Sequence, residues 1–210
     1  MFLESKFEEF VKGGGHLVGT FRAGIKDFDN HVTDETFPGR LSEMFGIEIH
    51  EFSPVNEKPE VSLASLREDG ESYSAVDWVD CIETKEAESL ADYEKGWPAD
   101  KGFAGVSRNE YGEGVAYYVG LAGEEDLYSD LISYLLENTD VESILSSPEN
   151  VEVRERVDPE TGAKLVFMVN HSPEQKSVSV DGNYWDLISS KTVTEDTELE
   201  GFGVMILKEK

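Results

Sequence analysis

The sequence predicts an α/β domain followed by a small antiparallel β-sandwich, and three observations predict it. Helical and strand periods alternate through the first 147 residues, the pattern of mixed α/β structure. After Ser146-Ser147-Pro148 the helical periods vanish, and short strands recur between turn signals up to the C-terminus. Hydrophobic residues make up 39% of the 210 and aromatics 10%, enough for both parts to bury a core. The expected domains are 1–147 and 148–210.

Leu3, Phe7, Phe10 and Val11 fall at helical spacing. Gly13-Gly14-Gly15 then stops the helix, because glycine accepts the left-handed conformation that follows a helix end. The stretch 16–21, HLVGTF, reads as a buried strand. An α/β domain as a rule opens on a strand, so a helix leading into one implies a domain entered midway. Residues 22–36 form a polar loop, after which Pro38 opens a short helix with Leu41, Met44 and Phe45 as its apolar side. IEIHEFS, VSLASL and SYSAVDWVDCIET read as strands, the last two separated by a turn at Glu68-Asp69-Gly70. AGVSRNEYGEGVAYYVG reads as a hairpin with its turn at Asn109, Gly112 and Gly114. EEDLYSDLISYLLENT is the clearest helix, with acids in its first turn and an apolar stripe of Leu127, Leu131, Ile132, Leu135 and Leu136. Beyond residue 148 the predicted strands are VEVRERV, KLVFMVNH, KSVSV, YWDLI, TELE and VMILK. Turns at 158–162 and 181–183 separate several of them.

Charge excludes several functions. Lys and Arg number 18 against 45 Asp and Glu, a formal charge of -27. A polyanion of that size repels phosphate backbones and anionic lipid, so neither nucleic acid nor a membrane surface is an expected partner. Solvated acidic faces that maintain solubility are the plain reading, suited to a salty or alkaline setting. Cys81 is the single cysteine, which rules out an internal disulfide and points to a reducing, cytoplasmic compartment. The opening residues lack the apolar run of a signal peptide, and no stretch approaches a membrane span.

Catalytic patterns are weak throughout. Gly13–Gly15 precedes a strand, whereas a phosphate-cradling loop follows one and opens a helix. Gly102, Gly105, Gly112 and Gly114 lie around a hairpin, where turn geometry accounts for them. Asp27, Asp29 and His31 alternate as in a calcium loop, but Val32 stands where that loop needs glycine. His16, His31, His50 and His171 are scattered, without zinc spacing. Cys81 sits in a strand pattern beside Asp80, which opposes thiolate formation, and no Gly-x-Ser-x-Gly elbow exists. Among 45 acids some pair falls at a glycosidase spacing by chance, so the count carries no information. No catalytic, cofactor-binding or metal residue is assigned, and no cofactor is expected.

The ordered stretch FVKGGGHLVGTFRAGIKDFDNHV through PGRLSEMFGIEIHEFSPV resembles the middle domain of glycoside hydrolase family 42 β-galactosidases. GWPADKGFAGVSRNEYGEGVAYYVG is similar to the later strands of that domain, and VEVRERVDPETGAKLVFMVNHSPEQKSVSV with GFGVMILK resembles the family's small C-terminal β-domain. The resemblance covers nearly the whole chain in the family's order. It implies a partial flavodoxin-like (class I glutamine amidotransferase-like) trimerisation domain followed by the β-domain. In the family a TIM barrel comes first and holds both catalytic glutamates; nothing here resembles it, so no glutamate role carries over and the chain alone is expected not to be an enzyme. A sheet lacking its first strands would expose an edge. The implied cover is a homo-oligomer, trimer or dimer, or a separate catalytic barrel subunit, with residues 22–36 and the following helix as the interface. A carbohydrate-binding module is the alternative, with Trp78, Trp97, Tyr184 and Trp185 as stacking surfaces.

Overall fold

The opening helix, α1 (Leu3–Lys12), ends as its glycines dictate. Gly14 has φ 98°, Gly15 N–H donates to the Phe10 carbonyl, and Gly14 N–H donates to that of Val11. These two bonds close a Schellman motif, with Gly14 as the left-handed residue past the cap. The computed structural model describes residues 3–27, 29–55, 62–67, 70–139, 141 and 145–210. It divides into two compact units, Met1–Thr139 and Asp140–Lys210.

The first unit continues through β1 (His16–Thr20), a 3-10 turn at Gly39–Leu41, α2 (Ser42–Phe45), β2 (Ile47–Pro54), β3 (Ser62–Leu63), β4 (Tyr73–Thr84), β5 (Glu88–Lys95), α3 (Trp97–Asp100), β6 (Ala104–Tyr111), β7 (Gly114–Val119), β8 (Leu121–Gly123) and α4 (Glu125–Glu137). Its strands form one eight-stranded sheet in the order β1-β7-β6-β5-β3-β4-β2, with β8 also on β4. Only β1 and β7 pair in parallel; the other pairings described in this sheet are antiparallel.

Helices cover both faces of the sheet, because β4 and β7 alternate apolar residues to either side. Val79, Cys81 and Val119 join a cluster closed by Leu127 and Leu131 of α4. Ile82, Ala116 and Tyr118 join a second cluster with Val11 of α1 and Met44 and Phe45 of α2.

Several expectations change in the structure. The stretch 16–21 is not a buried strand: β1 ends the sheet, its residues are half-buried or exposed, and Val18 is 39% exposed. The hairpin turn is Gly112-Glu113, since Tyr111 pairs with Gly114. Asn109 lies inside β6, buried, and its amide donates to the carbonyls of Glu43 and Met44. A polar residue in a strand pattern signals a turn, whereas here its side chain ties β6 to α2. The α4 stripe splits: Leu127 and Leu131 are buried, but Ile132 and Leu136 are 56% and 50% exposed. Strand β5 and helix α3 had no sequence signal strong enough to register, β5 being half acidic and basic. Val61, Glu68 and Asp69, part of the expected VSLASL strand and turn, lie outside the described residues.

The second unit consists of β9 (Val151–Val157), β10 (Lys164–Asn170), β11 (Lys176–Val178), β12 (Tyr184–Asp186), β13 (Lys191–Val193), β14 (Thr197–Leu199) and β15 (Val204–Glu209). Five strands form an antiparallel sheet, β13-β12-β15-β10-β9, and β11 pairs with β14 in a second. Val166, Met168, Met205 and Leu207 of the first sheet share one core with Val178 and Leu199 of the second. Strand β13 is one that the sequence pattern did not reveal. No helix among the described residues is long and apolar enough to cross a membrane.

Candidate functional site

The long loop after β1 is the segment with most capacity to meet a ligand or partner, and a buried aspartate fixes where it starts. Asp80, on β4, is 2% exposed. Its carboxylate accepts the Arg22 N–H at 3.1 Å, the Trp78 indole N–H at 2.7 Å and the Tyr118 hydroxyl at 2.9 Å. Burial pushes the Asp80 carboxyl above its ordinary value, and these donors with the Arg22 charge oppose the shift without cancelling it. Burial and the neighbouring Asp80 also push the Tyr118 phenol up, so it stays protonated and able to donate. Arg22 has φ 67° and lays its guanidinium over the Trp78 ring at 4.8 Å. Trp78 in turn stacks on Phe52, which contacts Phe37 at the end of the loop. The loop is thus pinned at both ends.

Within the loop, Asp27 Oδ1 accepts the N–H groups of Asp29 at 3.0 Å and His31 at 2.9 Å, and a bridge joins Lys26 to Val32. The alternating Asp27, Asp29 and His31 therefore build a turn. Their side chains come within 4.8 Å of one another, all exposed. Gly24, with φ 71°, packs against the Pro38 backbone so closely that any Cβ would overlap it, which draws the loop's two arms together.

Between this loop and α1 lies an open cleft of about 820 Å³. Lys6, Lys26 and Arg40 line it with Glu4, Asp27 and Glu35, and Thr33 Oγ1 is buried without a hydrogen-bond partner. The cleft offers ion pairs and hydrogen bonds. None of the described residues lining it is a cysteine, histidine or serine.

The other candidates lie outside this loop. Cys81 is fully buried, and burial, with Glu51 and Asp80 nearby, pushes its thiol up to about 12. That removes it as a nucleophile at neutral pH. Glu48 and Glu83 face each other across β2 and β4, with His50 at 3.1 Å from Glu48. This cluster was invisible in the sequence because Glu83 arrives by strand pairing. Lys85 reaches both acids, at 3.2 and 2.7 Å, and with His50 holds Glu48 below the usual carboxylate range. His171 bonds Glu152 at 3.0 Å, and His16 stacks near Tyr117. Of the aromatics, Trp97 packs on the first core and Tyr184 on the core of the second unit. Trp185 is 37% exposed, with Lys210 Nζ 5.1 Å from its ring centre.

Comparison with known proteins places both units. Residues 2–142 match the β-galactosidase trimerisation domain, and residues 150–209 match the β-galactosidase C-terminal domain. A β-galactosidase of Planococcus sp. (strain L4) is 33% identical over 207 residues, covering 97% of this chain and 30% of that protein. The crystal structure of a β-galactosidase from Bacillus circulans sp. alkalophilus superposes with a TM-score of 0.87 at 32% identity, over 99% of this chain and 31% of that one. The cold-adapted β-galactosidase of Rahnella sp. R3 gives 0.82 at 25% identity, over 99% and 30%. The chain spans about 30% of the length of the curated relatives it matches. Carrying a trimerisation domain followed by a C-terminal domain, it belongs to the glycoside hydrolase family 42 β-galactosidases, as their C-terminal part.

Proposed function

We propose that this chain is the non-catalytic, oligomer-forming portion of a family 42 β-galactosidase, an enzyme class that hydrolyses terminal β-D-galactosides. The observation that carries the reading is the match of residues 2–142 to a trimerisation domain in a chain spanning about 30% of its relatives. Residues 1–147 form a partial flavodoxin-like domain and residues 148–210 a β-sandwich, the compact units themselves dividing between Thr139 and Asp140. Helices on both faces of the first sheet and the shared core of the two small sheets support those descriptions. The exposed edge strand β1 fits a module whose surface is covered by other chains or by a catalytic barrel. The protein works in the cytoplasm, without nucleic acid, membrane or cofactor.

Light scattering behind a sizing column tests the assembly claim. A dimer or trimer over all or the upper part of the concentration range supports it, and a monomer at every concentration defeats it. Incubation with a chromogenic galactoside tests the other half: the pure chain is expected to give no turnover above background.

A further inference from the structure

The five-stranded sheet of the second unit is apolar on both faces. Its inner face carries Val166, Met168, Met205 and Leu207. On the opposite face the strand register sets Phe167 beside Ile206, Val169 beside Val204 and Leu165 beside Lys208. These residues are half-buried or exposed, Val204 45% so, and none belongs to the described core clusters. Cations flank this face. Arg154 pairs with Phe167, Arg156 with Leu165 and Lys208 with Trp185, and Lys210 lies over the Trp185 ring. Four of the chain's 18 Lys and Arg thus gather at one surface of a molecule whose formal charge is -27. Glu152 is the acid on that face, and it is engaged by His171 and Arg154.

The complementary surface is on α4. Its sequence, EDLYSDLISYLLE, contains no basic residue. At 100° per residue, Glu125, Ser129, Ile132 and Leu136 fall on one line along the helix, opposite the buried Leu127 and Leu131. Ile132 and Leu136 are the two exposed apolar residues in that row, with Glu125 at its start; Glu137 lies about 110° round the helix from it. A 13-residue helix is about 20 Å long, and a seven-residue strand such as β10 about 23 Å. An acidic helix whose exposed row runs from Glu125 to the apolar Ile132 and Leu136 therefore matches, in length and in charge, a sheet with an apolar centre and cations at its rim.

We propose that the outer face of the second unit's sheet is a docking surface for α4 of a second copy of this chain, a head-to-tail contact. This deepens the oligomerisation reading and rests on it. Every copy then offers one α4 and one sheet face, so each contact is heterologous. Both partners of the contact are acidic overall, so the local pairing of Glu125 with Arg156 and Lys208 sets its register. A single helix on a sheet buries less than a standard interface of about 1,600 Å², so the assembly is concentration-dependent in the micromolar range.

Two variants and their mixture test this. Ile132→Ser with Leu136→Ser removes the α4 centre, and Arg154→Glu with Lys208→Glu reverses the sheet rim; all four side chains are exposed. Each double variant alone is expected to be monomeric at concentrations where the unaltered chain assembles. An equimolar mixture retains one intact α4 and one intact sheet face, and is expected to give a heterodimer. Variants that assemble like the parent, or a mixture that stays monomeric, overturn the proposal while leaving the oligomerisation reading intact. A parent chain that is monomeric at all concentrations overturns both. If a variant misfolds by circular dichroism, carbodiimide cross-linking of the unaltered chain decides. Mixed isotopic labels must then show intermolecular links from Glu125 to Lys208 or Lys210, and their absence in an assembled sample rejects the contact.

Discussion

Each unit buries one aspartate on a strand, and the two carboxyls shift in opposite directions. Asp80 draws its donors from afar: a backbone N–H at Arg22, the Trp78 indole and the Tyr118 hydroxyl. Burial dominates there, and the carboxyl rises. Burial would raise Asp186 as well, but the Ser189 hydroxyl and the N–H groups of Ser189, Ile188 and Ile206 together bring it below the usual range. Two of those amides belong to the turn that Asp186 itself begins. A carboxylate that folds its own turn thus stays charged readily, while one that gathers a tertiary network stays charged at a cost. The comparison teaches that Asp186 is a local fastener and Asp80 the knot that fixes a long loop to a sheet.

The comparison can be broken, most severely at Asp80. Asp80→Ala leaves three buried or half-buried donors without an acceptor, and is expected to destabilise the first unit by about 3–5 kcal/mol. Hydrogen exchange should show lost protection across the loop, β4 and β7, with the second unit unchanged. Asp186→Ala is expected to remove about 2–3 kcal/mol from the second unit, read as faster exchange at Ile188, Ser189 and Ile206. Equal loss in both units from either variant would end the distinction between knot and fastener.

Acid sharpens it. The folded Asp186 value is lowered, so its stabilisation is complete above the unfolded value of about 3.9 and is lost as pH falls through the folded one. Asp80 is raised, so its contribution is fully present below about 3.9 and is lost as pH rises through its folded value. Acidification also relieves the repulsion of 45 acids, so each unit is compared with its own variant. Urea unfolding at pH 7, 5 and 3 is expected to show Asp186→Ala converging on the parent only at the most acid point, below the unfolded carboxyl value of about 3.9. The penalty of a charged Asp80 should shrink over the same range. The smallest effect lies at the end of α1: Gly14→Ala, at φ 98°, is expected to cost about 1 kcal/mol. A fall of a few degrees in the melting temperature of the first unit would register it.

Much of the fold was legible because periodicity carried it. α1, its glycine stop, the short helix after Pro38, α4 and six of the second unit's strands follow from local patterns. What failed was information held by partners. β1 reads as buried from its own residues, yet its place at the end of the sheet exposes it. Asn109 reads as a turn residue until α2 supplies the carbonyls it bonds. β5 alternates poorly because bulges at Ser89/Ala91 and Ala91/Asp92 shift its register. In the sequence Asp80 bears only on Cys81; its network joins residues 22, 78 and 118, which no spacing reveals.

Cys81 has a practical consequence. It is the chain's single thiol, fully buried in the first unit's core and pushed up to about 12. Modification by a maleimide or iodoacetamide therefore has to wait until that core opens, which makes the alkylation rate a clock for its unfolding. In the folded protein the same shielding leaves the surface free of competing sulfur, so one cysteine introduced on α4 or β10 would take a fluorophore at a defined position. The molecule arrives ready for distance measurements between its copies.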